Sequence, residues 1–169
     1  ILGNSSGYEY IYEKGFMKTQ NSLEKITWLK DNRFYTASIV TEDNSEVLFG
    51  QLGANDKNFN LRNENLFIHR VDNKSNHNFL SVLEPHGEYN PRYEFTKNPI
   101  SSLKSLNGTV EGDITLIKLL FVDDSEYHLV FTKIGDDETS HNYKTQLNNY
   151  QWKGHSKLFT IKNNRKSDE

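Results

Sequence analysis

The stretch TLIKLLFVDDSEYHLVFTKI, residues 115–134, decides the fold class of this chain. On both sides of Asp123-Asp124-Ser125, apolar residues recur with a period of two, which is typical of half-buried β-strands. Asp and Ser side chains bond to their own backbone and favour tight turns. The stretch therefore predicts an antiparallel hairpin made of strands 115–122 and 126–134.

Short runs of the same period recur along the chain, at residues 8–12, 25–29, 33–41, 46–49, 66–71, 78–84, 143–147, 150–152 and 157–161. Turn-forming residues lie between the runs, at 30–32, 42–45, 72–76, 107–108 and 148–149. A period of 3.6 is not sustained long enough for a helix. We therefore expect an all-β fold, an antiparallel β-sandwich built of many short hairpin-linked strands. The sandwich is expected to occupy residues 1–162, followed by a polar tail at 163–169.

Composition limits the classes of function. The 169 residues suit a single domain, and 34% hydrophobic residues are enough for a core. A formal net charge of −3 gives no overall attraction for nucleic acid or an anionic membrane, so neither is expected as a partner. The absence of Cys excludes disulfides and thiolate metal sites. The chain begins Ile1-Leu2-Gly3-Asn4, without Met or a signal sequence, and we expect a fragment of a longer, processed protein.

The sequence shows no motif of a known catalytic or metal site. Its six histidines form no HxH or HExxH pair. His69 and His77 could face each other across the turn at 72–76, but we expect no metal ion. A GxSxG motif and a glycine-rich phosphate loop are both missing from the sequence. We therefore predict no catalytic residue and no cofactor.

Two stretches, 50–64 and 84–99, interrupt the strand pattern. The second opens with EPHGEY, residues 84–89, directly after an apolar run. We expect Pro85 to end the strand and Gly87 to permit a sharp reversal, so that His86 and Tyr89 are presented at a strand end. His and Tyr are side chains that transfer protons.

Two interpretations of this cluster stay open. In the first, His86 and Tyr89 contact a ligand, and Arg62 and Arg70 bind its carboxylate, since Arg pairs with carboxylates through two hydrogen bonds. In the second, His86 and Glu84 hold the loop through hydrogen bonds, and Tyr89 is a half-buried anchor.

Several segments together carry a resemblance to a known family. They are LGANDKNFNLR at 52–62, FIHR at 67–70 and FLSVLEPHGEYNP at 79–91, with WLKDNRFYT at 28–36 and the opening 3–12 in support. Over about residues 3–95 the chain resembles the C-terminal β-region of polysaccharide lyase family 17, the oligoalginate lyases related to heparinase II/III. The closing strands, with YQWKG at 150–154, follow the family more loosely.

The resemblance implies a parent enzyme with an N-terminal α/α toroid followed by antiparallel β-sheets. Such an enzyme cleaves alginate oligosaccharides exolytically by β-elimination, in which a Tyr/His pair moves protons and polar groups neutralise the uronate carboxylate. The family's catalytic motifs belong to the toroid and the early β-region. No position of this chain matches them, so no catalytic residue is carried over.

These observations lead to a prediction of function. We expect a C-terminal β-domain of an alginate lyase, structural or accessory and inactive alone, whose partners are the toroid and early β-region of the parent chain and the acidic polysaccharide. Arg62, Arg70, His86 and Tyr89 are the candidates for contact with the glycan or with the missing domain. The resemblance implies a periplasmic or secreted location. A free-standing carbohydrate-binding module, or the same domain of a heparinase-like lyase for another uronate polysaccharide, stays open as an alternative.

Overall fold

The computed structural model describes residues 11–19, 22–43, 45–52, 64–72 and 77–161. Within these ranges the chain forms β1 (Ile11–Lys18), β2 (Leu23–Lys30), β3 (Arg33–Val40), β4 (Ser45–Leu52), β5 (Glu64–Val71), β6 (Ser81–His86), β7 (Glu88–Asn90), β8 (Phe95–Lys97), β9 (Leu103–Glu111), β10 (Ile114–Phe121), β11 (Glu126–Thr132), β12 (Ser140–Lys144), β13 (Asn149–Lys153) and β14 (Ser156–Ile161). No helix occurs in the described part. The predicted all-β class is confirmed.

The strands divide between two compact units. The first unit contains an antiparallel sheet with the order β1-β4-β5. The second contains most of β2 and the strands β3 and β6 to β14, in sheets with the orders β2-β3-β6, β14-β11-β10-β9, β12-β13 and β7-β8. The single domain expected over 1–162 stays a prediction, as does the tail, because residues 162–169 lie outside the described ranges.

The hairpin predicted from the deciding stretch is confirmed. β10 and β11 pair antiparallel, with Leu116 opposite Val130 and Leu120 opposite Glu126. Asp123 shapes the turn, because its Oδ1 accepts hydrogen bonds from the backbone N and the Oγ of Ser125 at 3.0 and 2.6 Å. The turn follows from local chemistry, which is why the sequence predicts it well.

The core of the second unit lies between two sheets. Leu116 and Val130, from the four-stranded sheet, pack against Tyr150 and Trp152 of β13, and all four side chains are buried. Burial of one such side chain contributes roughly 1.5–3 kcal/mol. The face-to-face contact of these sheets gives the β-sandwich that the alternating pattern predicts.

The first unit has its own smaller core. Ile11 and Leu48 are buried, and the partly buried Leu52, Leu66 and Ile68 pack against them. These residues come from β1, β4 and β5, so the three strands share one apolar face.

The sequence reasoning missed β9 and was wrong about a turn at Asn107-Gly108. Both residues lie inside β9, where Asn107 pairs with Lys118 and Gly108 with Ile117 of β10. A Cβ built on Gly108 would lie 2.9 Å from the Leu80 side chain, so glycine here permits close packing and marks no turn.

Other boundaries differ from the prediction in smaller ways. The run predicted at 78–84 forms a strand from Ser81 to His86, and the irregular stretch 84–99 contains the short strands β7 and β8. The turn predicted at 30–32 is confirmed, with left-handed φ values of 51° at Asp31 and 62° at Asn32. The predicted strand 8–12 is described only from Ile11, and residues 53–63 of the first irregular stretch lie outside the described ranges.

The described residues include no helix long and apolar enough to cross a membrane.

Candidate functional site

The cluster EPHGEY lies where β6 ends and β7 begins, within the second unit. The expectation that Pro85 ends the strand is wrong, because Pro85 lies inside β6 and pairs with Tyr35, and His86 still pairs with Phe34. β6 is an edge strand of the sheet β2-β3-β6, and an edge strand can accept a residue that has no N–H to donate. The strand continues to His86 for this reason.

Both ring nitrogens of His86 have hydrogen-bond partners. Nδ1 lies 3.0 Å from the backbone O of Asn98, and Nε2 lies 2.7 Å from Oγ1 of Thr36. Because a carbonyl oxygen only accepts, we assign the proton to Nδ1, and Nε2 then accepts from the Thr36 hydroxyl. Thr36 is fully buried, and its Oγ1 lies 2.7 Å from Oγ1 of Thr27, which completes a chain of three bonds. The ring is also stacked with Phe34.

Glu84 joins β6 to the segment that follows β8. Its carboxylate accepts hydrogen bonds from Oγ of Ser101 at 2.5 Å and from N and Oγ of Ser102 at 3.0 and 2.6 Å. Burial by itself would raise the pKa of Glu84, but these bonds outweigh burial and hold the pKa below its usual value. The carboxylate is therefore kept charged and acts as an acceptor for three donors.

Gly87 is needed at the reversal that the sequence predicts. Its φ is +52°, and an added Cβ would lie 2.1 Å from the backbone O of Asn98 and 2.5 Å from that of Lys97. Two residues later, the N–H of Tyr89 donates to the backbone O of Asn32 at 2.8 Å, and the Tyr89 side chain is half-buried. These contacts are the ones described by the second interpretation, in which His86 and Glu84 hold the loop and Tyr89 anchors it.

The predicted site residues are divided between the two units and a segment outside the described ranges. His86 and Tyr89 lie in the second unit, whereas Arg70 belongs to the first, where its Nη1 is 3.8 Å from Oε2 of Glu46. Arg62 lies outside the described residues. Contact of these four residues with a glycan or with another domain stays a prediction.

Sequence reasoning missed a buried polar cluster, which is centred on His128. His128 Nε2 lies 2.5 Å from Oε1 of Glu126, and its Nδ1 lies 2.6 Å from the hydroxyl of Tyr150. A carboxylate accepts, so Nε2 carries the proton and Nδ1 accepts from Tyr150. Burial, and with it the Glu126 charge, raises the pKa of Tyr150 although bonds with Asn148 and Thr145 act against the rise.

A signal for part of this cluster exists in the sequence. Glu126 and His128 are two residues apart on a predicted strand and must share a face. Tyr150 comes from a different sheet, so no spacing along the chain reveals it.

His69 and His77 do face each other, whereas residues 73–76 of the turn predicted between them lie outside the described ranges. Their rings meet edge to face with centroids 6.0 Å apart, and Phe79 contacts both rings. Burial first, and then the proximity of His77, lowers the pKa of His69, against the effect of Glu42. Among the described residues, no three His, Cys, Asp or Glu side chains are arranged to hold a metal ion.

Comparison with known proteins extends the resemblance found in the sequence. No family model matches the chain. It is 32% identical over 161 residues to an exo-oligoalginate lyase of Saccharophagus degradans, which covers 94% of this chain and 22% of that protein. It is 31% identical over 159 residues to an alginate lyase of Stenotrophomonas maltophilia, covering 94% of this chain and 21% of that protein. The chain thus spans about a fifth of the length of these relatives, and what it matches is a partial region of each of these two lyases.

Proposed function

We infer that this chain is a structural, accessory β-domain of a larger lyase that cleaves alginate oligosaccharides by exolytic β-elimination. The two relatives are named as alginate lyases, and the match takes up only about a fifth of their length. The remainder of the parent protein, expected to include a helical toroid and the early β-region, supplies the groups that transfer protons. The domain lies at the C-terminal end of the parent, which acts in the periplasm or outside the cell.

The observation that carries this proposal is that both ring nitrogens of His86 are hydrogen-bonded within the domain. A histidine that acts as a general base needs a ring nitrogen within reach of the substrate proton. In this chain one ring nitrogen donates to Asn98 and the other accepts from the buried Thr36. The most conspicuous His-Tyr cluster of the sequence therefore supports a scaffold role, in which its contacts join β3, β6 and the segment after β8.

A first experiment tests whether the domain needs the rest of the enzyme. The 169-residue chain is incubated with alginate oligosaccharides, and β-elimination is followed through the ultraviolet absorbance of the C4–C5 double bond that it creates. We expect no product above the buffer control. Sustained product formation by the purified chain would contradict the structural role.

A second experiment uses the complete lyase with His86→Gln. The substitution removes at least one of the two hydrogen bonds of the half-buried ring, one of which joins it to the fully buried Thr36. This loss costs about 1–3 kcal/mol and lowers the melting temperature of the domain by about 2–12 °C. Turnover per folded molecule should stay unchanged, as it should for His155→Gln, since His155 is exposed and serves as the control. A loss of kcat with an unchanged melting temperature would make His86 part of the catalytic machinery.

A further inference from the structure

The β7–β8 hairpin carries aromatic side chains that the fold leaves uncovered. Tyr93 is 70% exposed and Phe95 is 59% exposed. Large aromatic rings are normally half-buried or better, because their burial contributes more than that of other side chains. Neither ring is used by the apolar cores of the described units. Both rings are therefore accessible to a partner.

The tip of the hairpin holds its side chains in a defined arrangement. The backbone N–H of Arg92 donates to Oδ1 of Asn90 at 3.0 Å, and Glu94 takes a left-handed φ of 48°. Pro91 restricts the backbone between them. The tip is thus a fixed turn, and binding to it would cost little ordering of the backbone.

Arg92 lies against one of the two exposed rings. Its Cζ is 5.5 Å from the centroid of the Tyr93 ring, within the range of a cation–π contact. Among the described residues, no carboxylate lies within ion-pair distance of the Arg92 guanidinium. The contact with Tyr93 fixes the guanidinium while its donors stay available, and a fixed guanidinium suits a carboxylate that it can bind through two bonds.

A second cation lies on the same hairpin as Phe95. Asn90 pairs with Phe95 and Glu88 with Lys97, so the side chains of Phe95 and Lys97 project from one face of the strand pair. Lys97 Nζ is 4.0 Å from Glu88, and both side chains are more than 60% exposed, at 63% and 66%. An exposed pair of this kind contributes about 0–1 kcal/mol, so Lys97 can exchange this partner for another anion at little cost.

We propose that Arg92, Tyr93, Phe95 and Lys97 form a binding site for uronate oligosaccharides, in which the aromatic rings stack on sugar rings and the cations bind the uronate carboxylates. Each sugar of such an oligomer presents an apolar C–H face and one carboxylate, and the hairpin presents the complementary pair of groups. This inference rests on the proposed function, because the lyase relatives are the reason for expecting a uronate. The proposed site contains none of the four residues that the sequence predicted as candidates for contact with the glycan.

The site is tested by titrating the 169-residue chain with saturated alginate oligosaccharides and measuring affinity by calorimetry. Arg92→Gln and Tyr93→Ala should each weaken binding about tenfold, as expected for loss of one charge-assisted bond or one stacked ring. Lys157→Gln is the matched control, because Lys157 also lies over an aromatic ring, 5.3 Å from the centroid of Phe159, but on β14. The control should bind within about twofold of the unchanged chain. A cello-oligosaccharide of equal length, which has no carboxylate, should bind at least about tenfold more weakly.

Three outcomes of the titration would overturn the site. They are the absence of saturable binding by a chain with the expected circular dichroism, equal affinity for the neutral oligosaccharide, and affinity unchanged by both Arg92→Gln and Tyr93→Ala. Protection of Tyr93 from chemical modification in the complete lyase without sugar would also overturn it, because the hairpin would then be a contact with the rest of that protein. The scaffold role is tested separately, through His86→Gln and through the cleavage assay. A negative result at the hairpin would therefore not contradict the scaffold role. Cleavage of alginate oligosaccharides by the isolated chain would contradict the scaffold role and would leave the hairpin site untouched.

Discussion

Replacement of Glu84 by Gln should destabilise the second unit by an amount that depends on pH. The carboxylate accepts three hydrogen bonds, from Ser101 Oγ, Ser102 N and Ser102 Oγ. An amide at this position can accept the two bonds from Ser102, but its nitrogen cannot accept from Ser101, which is buried with 5% exposure. A buried donor without its acceptor costs about 1–3 kcal/mol, and the two surviving bonds lose the assistance of the charge.

The expected loss is at the lower end of this range, because water reaches the half-buried Glu84 and screens its charge. We take about 1.5 kcal/mol, and with a urea m-value of about 2 kcal/mol per molar the unfolding midpoint falls by about 0.7 M. The fluorescence of the buried Trp152 reports unfolding of the same unit. Glu138→Gln is the control, since Glu138 is 81% exposed in its pair with Lys153 and should change the midpoint by less than about 0.2 M.

The sign of the pH dependence follows from the direction of the pKa shift. The pKa of Glu84 lies below its usual 4.5 in the folded chain, so unfolding takes up protons when the pH falls. The contribution of the carboxylate is complete above pH 4.5 and is lost as the pH falls through the folded pKa. The difference between the unchanged chain and Glu84→Gln should therefore shrink at low pH. Equal midpoints at pH 7, or a difference that does not shrink, would refute the reasoning.

Two further substitutions test the buried contacts. Gly87→Ala places a methyl group 2.1 Å from the Asn98 carbonyl oxygen at a left-handed φ. We expect the free energy of unfolding to fall by about 2 kcal/mol or more and the melting temperature to fall by about 4–8 °C or more. An unchanged melting temperature would contradict the tight reversal. Tyr150→Phe leaves Nδ1 of the buried His128 without its hydrogen-bond donor. It should lower the free energy of unfolding, measured in urea, by about 1–3 kcal/mol. Tyr143→Phe, which removes a bond between exposed groups, should cost less than about 0.5 kcal/mol, and equal effects of the two would count against the buried cluster.

The parts of the fold that the sequence predicts are those set by neighbours along the chain. The hairpin of β10 and β11 and the turn at Asp31-Asn32 depend on alternation and on side chains that favour turns. β9 was missed because Asn107 and Gly108 have the local preferences of a turn, while pairing with β10 provides the strand environment. Tertiary pairing therefore overrode local preference at this strand.

The candidate site was predictable to a smaller degree. The stretch EPHGEY identified the residues that bond, since His86, Glu84 and the backbone of Tyr89 all make specific contacts. It could not identify Thr36, which lies 50 residues from His86 and reaches it through the pairing of β3 with β6. The exposure of the two rings on the β7–β8 hairpin could not be predicted either, because an aromatic residue in a short strand or its turn predicts burial as readily as exposure.

The EPHGEY cluster and the exposed hairpin depend on each other physically. β7 and β8 have three residues each, and an isolated two-stranded hairpin is marginally stable at best. The bond from His86 to Asn98 and those of Glu84 with Ser101 and Ser102 lie at the base of this hairpin and hold its two arms together. The bonds that occupy both ring nitrogens of His86 thereby help to fix the direction in which the tip projects, so the proposed scaffold role of the cluster and the proposed binding role of the tip rest on one arrangement.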